Sequence, residues 1–321
     1  MNEFEIINKY FAKLTKSNKG SFNLKDDIFY DYNKKVAISV DTYIDKIHFV
    51  NFKYPHLVIK KCLRSSLSDL ICKGITPKYY FIAASGNKKK FDKINLSKIL
   101  NALKSEQKKF SIKLSGGDTT YSSKLSFTFV VVGYPNNLPI LRSGANLNDD
   151  IYVTNTLGDA FLGLYLIKKR KRTSNYNYFV KSFYLPNIPY KFSKQIHLFA
   201  SSSIDISDGL YQDINHLIKS SNLSYDLDLN KVPISNYLKN YIKKNNKKKK
   251  LLISNGDDYQ ILFTAKKNKR NLIKRIAKKT NTLVTKIGVV KRPNVKKTFK
   301  NQGYLHKFWK LIYCLFRIFL Y

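Results

Sequence analysis

The sequence predicts an α/β (α+β) protein of two domains, on three observations. Short β-branched runs alternate with segments of helical periodicity in both halves of the chain. A turn-rich break at Pro135–Pro139 separates the halves, and Ile151–Thr154 restarts the alternation. Apolar runs repeatedly end at a glycine or a carboxylate rather than in ordinary polar loops. The length of 321 residues accommodates about two cores of normal size.

In chain order, Phe4, Ile7, Phe11 and Leu14 recur at helical spacing and predict an amphipathic helix. Val36–Val40 is a strand run ending at Asp41. Pro55 suits a first helical position; Val58, Cys62, Leu63, Leu67, Leu70 and Ile71 form the buried stripe, and Gly74 the stop. Asp69 sits at the end of that helix, where an unpaired carboxylate is costly. Tyr79–Ala84 reads as a strand, Ile94–Gln107 as a surface helix and Phe127–Tyr134 as a strand. Leu114–Thr120, Leu-Ser-Gly-Gly-Asp-Thr-Thr, reads as a strand stopping at two glycines with a carboxylate behind them. In the second half Gly158-Asp159 opens a helix, and Asp205 and Asp208 flank a turn before a helix reaching about Ser220. Lys243–Lys250 is a solvated loop, and Tyr259–Thr264, Asn271–Lys279 and Leu283–Val290 close the fold.

The net charge of +38 comes from 59 basic against 21 acidic residues. Lysine dominates arginine and is spread along the chain, together with much Asn, Ile, Tyr and Phe. That is the residue bias of AT-rich coding and not the basic stripe of a nucleic-acid binder. Cys62, Cys72 and Cys314 have no metal spacing and are odd in number, which predicts a reducing, cytoplasmic setting. The acidic start Met-Asn-Glu-Phe-Glu is unlike a signal peptide, and no run reaches roughly 18 uncharged apolar residues. The apolar tail Phe308–Tyr321 is expected to pack on the body or on a dimer partner.

Where acids are this scarce, Asp27, Asp41, Asp69, Asp118, Asp205 and Asp208 look placed. All offer oxygen to a hard cation, and their mutual repulsion calls for divalent ions and a polyphosphate. The chain has no Gly-x-x-x-x-Gly-Lys-Ser/Thr loop, protein-kinase signature or twelve-residue calcium loop.

These residues resemble the thiamine-monophosphate kinase family, within the superfamily of aminoimidazole ribonucleotide synthetase and selenophosphate synthetase. The resemblance runs from Phe4 to His306. It rests on Asp26-Asp27, Ser39–Thr42 with His48, Leu67–Leu70, Leu114–Thr120, Arg142–Ala145, Ile151–Thr154, Asp205–Leu210, Ser254–Tyr259 and Gly303-Tyr304. It implies an aminoimidazole ribonucleotide synthetase-like fold and ATP-dependent phosphorylation of thiamine monophosphate to thiamine diphosphate. It also implies a homodimer, with no nucleic-acid partner and no membrane span.

By resemblance, Asp27, Ser39, Val40, Asp41, Asp69, Asp118, Asp205 and Asp208 would hold Mg²⁺, with Val40 acting through its carbonyl. Gly117, Asp118, Arg142 and Ser207 would contact ATP, and His48, Asp257 and Tyr304 the substrate. The domains would be 1–140 for metal, ATP and dimerisation, 141–306, and the tail 307–321. Direct phosphoryl transfer needs positioning and charge neutralisation but no covalent nucleophile. The family usually has glycines before the Asp-Asp pair, where this chain has Asn23-Leu24-Lys25. The competing readings are another ATP-using enzyme of the superfamily and a non-catalytic basic nucleic-acid binder.

Overall fold

The computed structural model describes residues 3–293. Tyr304, His306 and the tail 307–321, with Cys314, lie outside the described residues.

The first half forms a five-stranded sheet of β1 (Phe29–Asp31), β2 (Val36–Ile44), β3 (Ile75–Gly86), β4 (Lys113–Tyr121) and β5 (Ser126–Pro135), in the order β1-β2-β5-β3-β4. Only β3 and β4 run parallel, because a helix connects them as a crossover. The chain enters through α1 (Glu3–Ile6), and α2 (Pro55–Cys72) and α3 (Lys93–Phe110) pack on the sheet. Phe127, Phe129 and Val131 alternate inward on β5 and meet Val58, Ile59, Leu63 and Leu67 of α2 in one core.

The second sheet has the order β7-β9-β6-β10-β8, built from β6 (Asp150–Thr154), β7 (Ala200–Asp205), β8 (Ser224–Leu227), β9 (Ile261–Ala265) and β10 (Val284–Lys291). Every pairing in it is antiparallel. Around it lie α4 (Asp159–Lys168), α5 (Tyr176–Tyr184), α6 (Tyr190–Ser193), α7 (Leu210–Lys219), α8 (Asn236–Lys244), α9 (Lys249–Ile253) and α10 (Arg270–Lys279). The sheets divide at the Pro135–Pro139 break, but the cores interlock: Phe183 and Tyr184 of α5 belong to the core of the first half.

Three expectations meet a different structure. The opening helix is α-helical only over Glu3–Ile6, and a π turn and a 3-10 turn carry it to Thr15, with Phe11 and Leu14 exposed. α2 is buried over 14 of its 18 residues, its polar side included, because that side faces the second half. Leu114–Thr120 is not a turn after a strand. It is the middle of β4, an edge strand exposed at all nine positions.

The double glycine has a packing reason there. The β3–β4 register shifts between Ile82 and Tyr80, and a Cβ on Gly117 would sit 1.9 Å from the carbonyl oxygen of Ile82.

Candidate active site

α2 lies between the two sheets and carries groups that reach both. Its last turns present Ser68, Asp69 and Lys73 just beyond the helix. Ser68 donates to Asp205 Oδ2 at 2.6 Å, which joins α2 to the end of β7. Ser39 on β2 donates to Asp69 Oδ2 at 2.5 Å. Two residues along β2, Asp41 accepts the Tyr43 hydroxyl at 3.1 Å. Asp208 follows Asp205 in the turn before α7 and accepts from Gln212 Nε2 at 2.7 Å. Buried Asp213 accepts the backbone N–H groups of Gly209 and Asp208 at 3.0 and 3.2 Å and so fixes that turn.

Four carboxylates, from β2, α2, β7 and the β7–α7 turn, therefore converge, and the side chains that hydrogen-bond to them are neutral. The electrostatics follow. Burial, then the nearby Asp41, Asp205 and Asp27, push Asp69 well above its ordinary value. Burial, then Asp27, raise Asp205 to about 7. Burial, then Glu3 and Asp205, raise Asp208 to about 7. Burial raises Asp41 too, against the hydrogen bonds from Tyr43 and Ser66. An oxygen-only set whose members repel one another fits a hard divalent cation.

Asp26 and Asp27 behave differently. Lys73 Nζ lies 3.0 Å from Asp26 Oδ1 and 3.2 Å from Asp27 Oδ2, and Arg142 grips both oxygens of Asp27. Burial alone would raise Asp27, but Arg142 and Lys73 hold it down to about 2. The loop leading there is strained: Phe22, Asn23 and Leu24 all have left-handed backbones, with φ of 51, 54 and 55°. Lys25 stays exposed, and the cation at this pair is Lys73 instead.

The other expected residues are placed as follows. Arg142 is on Asp27. Ser207 is exposed, and its carbonyl accepts the Asp257 N–H at 2.9 Å. Asp257 is ion-paired with buried Lys61 and accepts from Tyr259 at 3.2 Å, while Lys61 Nζ lies 3.9 Å from the Phe183 ring centroid. His48 is half-buried, its Nδ1 accepting the Ile44 N–H at 2.9 Å and its ring set edge-on to Tyr43. Val40 is exposed, and β1 pairs with β2 only as far as Ile38.

Gly117 and Asp118 do not join the cluster. Asp118 is in register with Ala83, Ala83 with Thr128, and Thr128 with Thr42. Three strand spacings, about 14 Å along the sheet, therefore lie between Asp118 and the Asp41 end.

Sequence reasoning missed Lys73, Lys61 and Asp213. Lys73, just after the last turn of α2, reads as a partner for exposed carbonyls, Lys61 as an ordinary solvated mid-helix lysine, and Asp213 as a first-turn acid. Only the burial of all three separates them from that reading.

Comparison with known proteins decides the family. Residues 25–134 match the family model described as AIR synthase related protein, N-terminal domain. The thiamine-monophosphate kinase of Buchnera aphidicola subsp. Acyrthosiphon pisum is 34% identical over 95% of this chain and 98% of its own length. The chain belongs to the thiamine-monophosphate kinase family. A second thiamine-monophosphate kinase, from Escherichia coli, is 30% identical over 82% of each chain. The solved structure described as "AaThiL complexed with AMPPCP and TMP" superposes with a TM-score of 0.84 at 26% identity, covering 95% of this chain and 97% of that one. The kinase fold thus spans both sheets, and the carboxylate cluster lies where they meet.

Proposed function

We propose that the protein transfers the terminal phosphoryl group of ATP to thiamine monophosphate, giving thiamine diphosphate. The observation that carries this reading is the convergence of Asp41, Asp69, Asp205 and Asp208 in a chain of this family. A related solved structure is described with AMPPCP and TMP, an ATP analogue and this substrate.

Mg²⁺ is part of the proposal. Asp41, Asp69, Asp205 and Asp208 would hold it, and when bound it neutralises charge on the phosphate oxygens. The chain itself supplies position. Ser39, Ser68 and Tyr43 fix three of the carboxylates by hydrogen bonds, and Asp213 fixes the turn that carries the fourth. Lys61 and Tyr259 hold Asp257 in one place beside the turn of Ser207, at the pole proposed for the substrate with His48. The acceptor phosphate is already an anion, so no strong base is required.

In this reading Gly117 and Asp118, three strands from the Asp41 end of their own sheet, would reach the site from a second copy of the chain. A homodimer closed along β4 is therefore included. Support comes from the exposure of that whole edge, with Leu114 at 46% and Tyr121 at 82%, since long bare edges call for a partner. A cytoplasmic setting is consistent with the free, buried Cys62 and Cys72. Among the described residues no helix is long and apolar enough to cross a membrane.

The test is direct. The purified chain with Mg²⁺, ATP and thiamine monophosphate is expected to yield thiamine diphosphate and ADP in equal amounts. ATP consumption on an aminoimidazole precursor, with none on thiamine monophosphate, would overturn the proposal in favour of another activity of the superfamily.

A further inference from the structure

We infer that the ammonium of Lys73 is a resident cation for Asp26 and Asp27, so that this pair takes no divalent ion. The metal requirement of the site is then confined to Asp41, Asp69, Asp205 and Asp208. The inference rests on the metal chemistry proposed above and departs from the ligand role that family resemblance implies for Asp27.

The first ground is the saturation of Lys73. Its side chain has no solvent exposure, and Nζ has three oxygen neighbours: Asp26 Oδ1 at 3.0 Å, Asp27 Oδ2 at 3.2 Å and the Ser203 carbonyl at 2.7 Å. An ammonium has three N–H donors, and here all three have acceptors. Anchoring to Ser203 on β7 fixes the charge in place, and moving it out would strand a buried ion.

The second ground is the saturation of the carboxylates. Asp26 Oδ2 accepts the Arg142 backbone N–H at 2.7 Å, and its Oδ1 accepts the Asp27 N–H at 2.9 Å besides Lys73. Asp27 takes Nη2 of Arg142 on Oδ1, and Nε at 3.0 Å with Lys73 on Oδ2. Every oxygen of the pair has a donor. Two negative charges face two positive charges from the chain itself, so the pair is neutral without an added ion.

The third ground is contrast. The contacts described for Asp41, Asp69, Asp205 and Asp208 come from Tyr43, Ser39, Ser68 and Gln212, none of which carries charge. The chain thus holds two kinds of acid: Asp26 and Asp27, bonded directly to Lys73 and Arg142, and Asp41, Asp69, Asp205 and Asp208, bonded among the described residues to neutral groups, with Lys73 and Arg142 acting on Asp205 only through space. Asp27, Cys72 and Asp205 also bring one ligand atom each within 4.8 Å of one another. A thiol is a soft donor unsuited to Mg²⁺, and Cys72 Sγ already donates to the Asp69 carbonyl at 3.2 Å. A divalent ion at Asp27 would in addition be repelled by Lys73.

Counting bound Mn²⁺ per chain by equilibrium dialysis and electron paramagnetic resonance tests this on the full-length protein. Asp27→Asn is expected to bind as many Mn²⁺ ions as the wild type, whereas Asp205→Asn binds fewer. Lys73→Met, which uncovers the pair, is expected to bind one Mn²⁺ more than the wild type and to gain more thermal stability from Mn²⁺. A lower count in Asp27→Asn, or an unchanged count in Lys73→Met, would overturn the inference. If Lys73→Met does not fold, the Asp27→Asn count decides alone. A wild-type chain that binds no Mn²⁺ overturns the proposed metal chemistry as well, an outcome distinct from a loss at Asp27 only.

Discussion

Ser68 and Asp205, 137 residues apart in sequence, share a buried hydrogen bond of 2.6 Å that ties α2 to the end of β7. The serine fixes the carboxylate without supplying a positive charge of its own. Ser68→Ala should therefore weaken Mg²⁺ activation rather than abolish the fold. Outer partners of metal-binding groups are typically worth about 10–100-fold in metal affinity. Steady-state rates against Mg²⁺ concentration should show the half-activation point shifted upward by about tenfold, at little change in thermal midpoint.

The raised carboxylates set a pH dependence. Asp205 and Asp208 titrate near 7 in the fold and near 3.8 when unfolded. Between those values the folded state holds more protons than the unfolded state, so stability falls as pH rises. Without divalent ions the midpoint of thermal unfolding should be lower at pH 8 than at pH 5. Added Mg²⁺ should restore more stability at pH 8 than at pH 5. Asp27 runs the other way, but only as pH falls below about 4 toward its value of about 2.

Strain before the Asp26-Asp27 pair predicts a stabilising change. Leu24 holds a φ of 55° with a Cβ that disfavours it, a cost of roughly 1–2 kcal/mol per residue. Glycine removes that cost and gives part of it back through the unfolded chain. Leu24→Gly is expected to gain about 1 kcal/mol, read as a thermal midpoint a few degrees higher. A lower midpoint would show that packing of the leucine outweighs its backbone.

A buried ion pair joins α2 to α3. Arg64 makes two bonds to Glu106, at 2.8 and 2.9 Å, and a third to the Pro186 carbonyl at 3.1 Å. Glu106→Ala leaves the guanidinium buried and unpaired, and such losses cost about 3–5 kcal/mol. Urea unfolding should show that decrease. Replacing both partners by apolar residues should cost less than the single change.

The division between what the sequence displayed and what it hid has physical reasons. The boundaries of α2, α4, α7 and α10 were legible because Pro55, Gly158, Gly209 and helical periodicity act locally. The acids were legible because they are rare in so basic a chain. Position across the sheet was not. Asp118 reads like Asp41, each an aspartate on or beside a β-branched run, yet strand order puts Asp118 on the exposed β4 edge and Asp41 on the opposite side of the sheet, half-buried beside Tyr43. Lys73 and Lys61 were hidden among 59 basic residues, since only the packing of the second half on α2 buries them.

α2 has a consequence beyond the contacts it makes. Lys61, which grips Asp257, and Asp69, which faces the acids, are eight residues apart on one unbroken helix, a separation of about 12 Å. A rod of that length does not bend under small loads. Any displacement at the carboxylate end is felt at the Asp257 end, so occupancy at one pole is mechanically audible at the other.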